Sequence, residues 1–375
     1  MIAQEVSDIV ELAKLTTGDV AYRYDKSIAL FFSGARKVLS TSLYNGGYHE
    51  DFTAVFNRDM TQGAGMPCEE LASTYVESMR IVAQRIGLDP DRTTGMGTAA
   101  QMENVSIQSR SYKELTVTSI VTGGVETNGG RVGDPASYYK TVPKKCGTIN
   151  IILVIDADLP PGILARALVT CTEAKTAALQ ELMAESRYSC GLATGSGTDQ
   201  TIIVANTESP LYFEGAGKHS KLGELIGQSV MAAVKETLGK QSGLTPARQH
   251  NLLRRLRRFG ITGDSLWHDY EERVHTVHLI KPRFLQILHE IGARPGVFAL
   301  GVSYIHLYDE FLWGLLTEEE THTMGAHFLV EMARCADVPL PAAQQDGEDY
   351  MQAIAAFLVD SVCARAEELP EGGKI

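Results

Sequence analysis

Residues 149–155 read INIILVI, and six of the seven positions are Ile, Leu or Val. In length and composition this is a buried β-strand, the strongest strand signal in the chain. Downstream, Leu164, Leu168, Cys171, Ala178, Leu179 and Leu182 recur along one stripe, which predicts a helix over about 161–185. A glycine loop, ATGSGTD (193–199), then feeds the strand TIIVAN (201–206). The loop EGAGKHS (214–220) opens a further helix whose inner face is Leu222, Ile226, Val230, Val234 and Leu238, with Gly239 expected to end it.

Upstream, residues 105–111 and 114–121 are rich in Val, Ile and Thr and predict two strands. The second runs directly into TGGVETNGGRVGDP (122–135), a glycine-dense loop without apolar periodicity. Nearer the N-terminus, SIALFF and KVLSTS are separated by Ser-Gly-Ala-Arg and read as a hairpin. The loop SLYNGGYHED (42–51) and a third strand, FTAVFN, follow. Leu71, Tyr75, Met79, Val82 and Ile86 predict a helix beginning at Pro67 and ending at Gly87, and residues 3–14 form a short amphipathic segment.

Strands, glycine loops and long helices in alternation predict an α/β or α+β domain, with helices packed on a mixed sheet and glycine-rich loops at its site. Beyond Gln241 the β-branched runs nearly vanish. Helices are expected at about 245–258, 270–290, 302–316, 320–336 and 347–367, giving an all-helical C-terminal region. Gly-Leu-Thr-Pro at 243–246 marks the junction, so the expected domains are 1–241 and 242–375.

The 375 residues carry a formal charge of −12, which argues against a general nucleic-acid binder. Arg254, Arg255, Arg257 and Arg258 are a local exception, equally well explained as a solvated helix face. The N-terminal MIAQEVSDIVELAK has no uninterrupted apolar core, and no stretch approaches the roughly 20 apolar residues that cross a bilayer. Six widely spaced cysteines without a CxxC read as reduced and mostly buried, which points to the cytoplasm and away from membrane insertion. In the tail, His275 and His278 and then Glu319 and His322 have i,i+3 spacing, but without HExxH or a cysteine cluster no metal site is expected.

The chemistry-bearing residues gather in the glycine loops, where bare backbone N–H groups approach a ligand closely. The 122–135 loop offers Glu126, Asn128, Arg131 and Asp134, and fits no nucleotide fingerprint. The 193–199 loop offers Thr194, Ser196, Thr198 and Asp199, the last either a turn-former or a carboxylate that orients a histidine or water. His219 lies at a helix start, where the local field favours a neutral imidazole suited to a general base, with Glu224 in the first turns. Lys175 falls on the inward helical stripe, so its amine needs a partner (Glu173 or Asp199), a ligand cavity, or a route to water. Asn45-Gly46-Gly47 is first of all a turn signal.

RKVLSTSLYNGG, TGGVETNGGRVGDP, TCTEAKTAAL, ATGSGTD and GAGKHSKLGE occur in the order and approximate spacing of the adenosylcobinamide amidohydrolase family, which the chain resembles over roughly residues 25–240. The resemblance implies hydrolysis of the amide joining a corrin propionate arm to (R)-1-amino-2-propanol, yielding adenosylcobyric acid for cobalamin salvage. The alternatives are a non-catalytic corrinoid-binding protein and an amidase for another substrate. It implies no protein-held cofactor, since cobalt enters with the corrinoid. Residue by residue it carries Asn45, Gly46, Gly47, Asn128, Arg131, Asp134, Lys175, Thr194, Gly195, Gly197, Thr198, Asp199, His219 and Glu224, together with Glu173, Gly130 and Gly133. On physical grounds His219, oriented by Asp199 or Glu224, is expected to activate a water, with the backbone of the ATGSG loop (193–197), including Ser196, and nearby Lys175 stabilising the oxyanion. Asn128 and Arg131 are expected to hold the neighbouring corrin amides or the aminopropanol hydroxyl. A covalent route through Ser196 or Thr198 is the alternative. The second loop is longer and richer in glycine than the family's short Asn-Ala-Arg type, and the tail has no counterpart in the minimal family domain. That tail is compatible with a homo-oligomerisation module, a lid or a partner-docking domain.

Overall fold

The computed structural model describes residues 9–62, 68–140, 148–273, 278–340 and 349–368. The chain forms two compact units, Met1–Thr245 and Pro246–Ile375.

The first unit contains, in order, β1 (Val10–Lys14), β2 (Val20–Tyr24), β3 (Ser27–Phe31), β4 (Arg36–Ser40), β5 (Gly47–His49), β6 (Ala54–Asp59), α1 (Tyr75–Arg85), β7 (Thr93–Thr98), β8 (Ser106–Tyr112) and β9 (Leu115–Gly123). The short β10 (Gly129–Gly130), β11 (Ile149–Ile155), α2 (Pro161–Glu181), the short β12 (Gly195–Ser196), β13 (Gln200–Asn206) and α3 (Lys221–Ser242) follow. All strands but the two-residue β10 and β12 divide into a five-stranded sheet, β1-β2-β3-β6-β7, and a six-stranded sheet, β5-β4-β13-β11-β9-β8. Each is mixed: β6–β7 and β11–β13 pair parallel, and the other neighbours antiparallel.

β11 is apolar at every position but Asn150 because both of its faces are covered. Side chains alternate across a strand, and Ile151, Leu153 and Ile155 pack with Leu164, Cys171, Ile226 and Val230 of α2 and α3. Ile152 and Val154 point the other way, against Ala21, Ile28, Leu30, Val55 and Met96 of the five-stranded sheet. The outer face of that second sheet supports α1 through Ala29, Phe56, Met79, Val82 and Ala83. The layers therefore run helices, sheet, sheet, helix.

The hairpin expected from SIALFF and KVLSTS does not form. β3 pairs with β2 and β6, whereas β4 pairs with β5 and β13, so the intervening turn carries the chain from one sheet to the other. Arg36 fixes this crossing: its Nε and Nη2 donate to the two carboxylate oxygens of Asp19 at 3.0 and 2.8 Å, and its Nη1 donates to Asn206 at 2.9 Å. Both charged side chains are fully buried. α1 begins at Tyr75 because the Thr74 hydroxyl accepts the Glu77 amide and caps it there; Pro67 lies outside the described residues. α3 passes Gly239 and ends at Ser242, where Gly243 takes the left-handed conformation that closes the helix (φ 66°).

Among the described residues of the second unit every regular element is a helix. Its longer helices are α4 (Gly263–Glu271), α5 (Lys281–Gly292), α6 (Pro295–Leu312), α7 (Glu318–Ala336) and α8 (Tyr350–Glu367). The single helix expected at 270–290 is two, since α4 stops at Glu271 and α5 starts at Lys281. Phe284, Ile287, Tyr304, Met332, Ile354 and Leu358 belong to one core.

Candidate functional site

Strand direction decides which loops meet. β11 and β13 are parallel, and their neighbours β9 and β4 are antiparallel to them. Ile149 therefore lies opposite Gly123, Asn150 opposite Gln200, and Ile202 opposite Ser40. The loops leaving β4 and β9 consequently share one edge of the sheet with the loop entering β13. The loop before α3 follows the opposite end of β13.

At the shared edge β10 and β12 pair antiparallel, Gly129 with Ser196 and Gly130 with Gly195. The Thr194 amide donates to Gly130 O at 2.9 Å, and the Val132 amide donates to the Thr194 hydroxyl at 2.9 Å. Asp134 closes the turn by accepting the Arg131 amide at 2.7 Å and the Ser186 hydroxyl at 2.6 Å. Burial pushes its carboxyl up, but bonds from Ser186, Ser189 and the Arg131 amide outweigh this and hold it below its ordinary value. Asn128 is buried beside this pairing, while the Arg131 side chain is exposed.

Lys175 and Asp199 form the centre of the site. They are ion-paired, with each side chain 11% exposed. Asp199 Oδ2 also accepts the Ser196 amide at 3.0 Å, while Oδ1 accepts the Ser196 hydroxyl at 2.7 Å and the Ile149 amide at 2.8 Å. One carboxylate thus joins α2, β11 and the glycine loop. A Cβ on Gly195 would lie 2.3 Å from Asp199 Oδ2 and 2.7 Å from Lys175 Nζ, so any side chain there has to displace the ion pair. Gly197 faces open space. One helical turn before Lys175, burial pushes the Cys171 thiol up to about 12, with the Lys175 charge opposing.

Sequence reasoning missed a polar seam between the two sheets beneath this loop. Asn150 Nδ2 donates to Asn57 Oδ1 at 2.8 Å and Gly97 O at 3.2 Å, and Asn57 Nδ2 donates to the Thr122 hydroxyl at 2.7 Å. The Thr148 hydroxyl donates to Thr198 O at 2.7 Å and so connects the seam to the loop. The available signal was Asn150 itself, the one polar residue in INIILVI.

Other expected residues serve different positions. Asn45, at φ 47°, donates its amide to Pro90 O at 2.9 Å and Thr93 O at 2.8 Å, which ties its loop to the start of β7. A Cβ on Gly46 would lie 1.9 Å from Ser42 O, and Gly47 has φ 97°. The 215–220 loop rests on α2: Thr170 donates to Ala216 O at 2.7 Å and Lys218 pairs with Glu173 at 3.0 Å.

His219 is exposed and hydrogen-bonds to neither Asp199 nor Glu224. The expected orientation by a carboxylate is therefore corrected. Asp199 is occupied by Lys175, Ser196 and Ile149, and Glu224 is turned to Lys221 at 2.5 Å and Gln228 at 3.3 Å.

Cys68 corrects the all-reduced reading, because it is disulfide-bonded, while Cys171, Cys190, Cys335 and Cys363 are in no disulfide. Cys146 and His275 lie outside the described residues. Among the described residues no helix is long and apolar enough to cross a membrane, and no group of three His, Cys, Asp or Glu side chains forms a metal cluster.

A family model described as adenosylcobinamide amidohydrolase matches residues 12–246. An uncharacterized protein of Methanocaldococcus jannaschii is 34% identical over 231 residues, covering 58% of this chain and 87% of its own. A protein of Methanosarcina mazei named adenosylcobinamide amidohydrolase is 28% identical over 225 residues, covering 57% of this chain and 95% of its own. The family match covers the first unit from residue 12 onward, and the glycine loops of that unit carry the site.

Proposed function

The chain belongs to the adenosylcobinamide amidohydrolase family, and from that premise we propose that it hydrolyses one linear amide of a corrinoid side chain in the cytoplasm. The bond cut joins a propionate carbonyl of adenosylcobinamide to (R)-1-amino-2-propanol, and the products are that amino alcohol and adenosylcobyric acid. Release of the acid returns a salvaged corrinoid to cobalamin synthesis.

The observation that carries this reading is the meeting of the 129–134 and 194–199 loops at the Lys175–Asp199 pair, within the part of the chain that matches the family. Amide hydrolysis needs charge stabilisation at the carbonyl oxygen and proton management at a poor leaving group. A mostly buried ammonium–carboxylate pair beside glycine backbone supplies groups of both kinds. In this proposal Lys175 and the 195–197 backbone face the developing oxyanion. Arg131, exposed on the neighbouring turn, and Asn128 contact the amides that rim the corrin.

The test is direct: full-length protein incubated with adenosylcobinamide, with the corrinoid acid followed by chromatography and the amine by derivatisation. Stoichiometric appearance of both supports the reading. Intact substrate after hours with protein that still binds the corrinoid refutes it.

A further inference from the structure

We infer that Ser196 is the nucleophile of this site and that the reaction passes through a corrinoid acyl ester on its Oγ. The inference rests on the amidase reading above and specifies its chemistry.

A serine hydroxyl is a weak nucleophile unless a neighbouring group takes its proton and its oxygen is aimed. Three observations meet at Ser196. Its Oγ donates to Asp199 Oδ1 at 2.7 Å, a bond already pointing the proton at a carboxylate. That carboxylate is fixed from the other side by Lys175 and by the amides of Ile149 and Ser196, so the acceptor does not wander. The pairing of Ser196 with Gly129 holds the backbone in a two-stranded frame. The next residue is Gly197, exposed, with no atom within 4 Å of where its Cβ would be. A planar amide therefore has room to approach, and Gly197 is the residue one past the nucleophile, the chain position whose backbone N–H serves as an oxyanion donor in nucleophile-elbow hydrolases.

The step balances as follows. Ser196 Oγ bonds to the amide carbon as its proton moves to Asp199 Oδ1, and the carbonyl π pair moves onto oxygen. The carbonyl re-forms, the C–N bond breaks with its electron pair on nitrogen, and Asp199 returns the proton to that nitrogen. Free 1-amino-2-propanol departs. Water then adds to the ester carbon, giving one proton to Asp199. Ser196 Oγ leaves, recovers that proton, and the corrinoid acid is released. Lys175 keeps its charge throughout, balancing Asp199.

The experiment uses the full chain with adenosylcobinamide. Wild type must first release aminopropanol; failure there refutes the amidase reading itself. With active wild type, S196A is expected to lose at least about a thousandfold in kcat while corrinoid affinity stays within about tenfold. Acid-quenched wild type, and S196C in which a thioester would accumulate, are expected to carry a mass increment equal to the corrinoid acid less water on the peptide containing position 196. Added hydroxylamine is expected to divert product to the hydroxamate without slowing amine release. Turnover by S196A within about tenfold of wild type overturns the inference. So does an inactive S196A combined with no adduct on wild type or S196C, which would leave Ser196 as a residue that only positions Asp199.

Discussion

Replacing Lys175 by Met keeps an unbranched side chain, one atom shorter, and removes its charge, which isolates the role of the pair with Asp199. Breaking one partner of a buried ion pair costs about 3–5 kcal/mol, because the other charge is left uncompensated. Each side chain retains 11% exposure, and Asp199 keeps three donors from Ile149 and Ser196, so the low end applies, about 3 kcal/mol. In a domain of this size about 2–4 °C is lost per kcal/mol, giving a fall of about 6–12 °C in Tm. Asp199→Asn alone places an amide NH2 or an unmatched oxygen against the ammonium and costs a similar amount. The double variant removes both charges, and its cost should fall short of the sum by about 2 kcal/mol. Thermal unfolding by far-UV circular dichroism measures the three variants. Both tryptophans, Trp267 and Trp313, lie in Pro246–Ile375, so fluorescence identifies that unit's transition. Costs that add within about 0.5 kcal/mol would refute the coupling and with it the site built on this pair.

Four further outcomes follow from the same geometry. Gly195→Ala drives a Cβ to 2.3 Å from Asp199 Oδ2, so it should destabilise the first unit by about 1–3 kcal/mol and abolish turnover, whereas Gly197→Ala should fold normally. The Asp134 carboxyl is held below its ordinary value in the folded state, so its stabilisation is fully present above the unfolded pKa, about 4, and fades as pH falls through the lower folded value. Asp134→Asn should remove that acid-sensitive portion and raise KM several-fold through the loosened Arg131 turn, read from pH-dependent unfolding and steady-state kinetics. His219→Ala should retain kcat within about tenfold, since no carboxylate orients the imidazole; complete loss would reinstate it as the base. Iodoacetamide at pH 8 should label exposed Cys335 quickly and leave Cys171 untouched in native protein, because that buried thiol is pushed up to about 12.

Local patterning in the sequence was enough to find most elements of the first unit. INIILVI, TIIVAN and the Leu222–Leu238 stripe each form the element their periodicity predicts. What periodicity does not encode is partner choice. SIALFF and KVLSTS look like hairpin arms because both are apolar and a glycine turn separates them. The buried Arg36–Asp19 pair, 17 residues apart in sequence, instead anchors the turn where the chain changes sheets. The start of α1 was missed for a related reason: apolar spacing ran back through Leu71, but the Thr74 cap sets the boundary.

The site was legible to the extent that its residues sit in glycine loops, and illegible where its partners arrive from afar. Lys175 was identifiable from helical phase alone as a charge on an inward stripe. Asp199 was one of two partners, and the parallel pairing of β13 beside β11 is what sets its loop next to Ile149 and the Lys175 amine. His219 illustrates the opposite case: its place at a helix N-terminus could be read from the sequence, but that place gives no reason for any carboxylate to face it. Asn150 carries the connection furthest. An amide in the middle of an apolar strand is costly unless every donor finds an acceptor, and here its donors go to Asn57 and Gly97 of the facing sheet. Its own carbonyl accepts from Thr148, whose hydroxyl also holds Thr198 in the glycine loop. The inter-sheet core thus fixes the loop from below while Lys175 and Asp199 fix it from the side. Asn150→Leu should therefore reduce kcat more than its effect on Tm accounts for, and a variant that loses stability and activity in parallel would separate the seam from the chemistry.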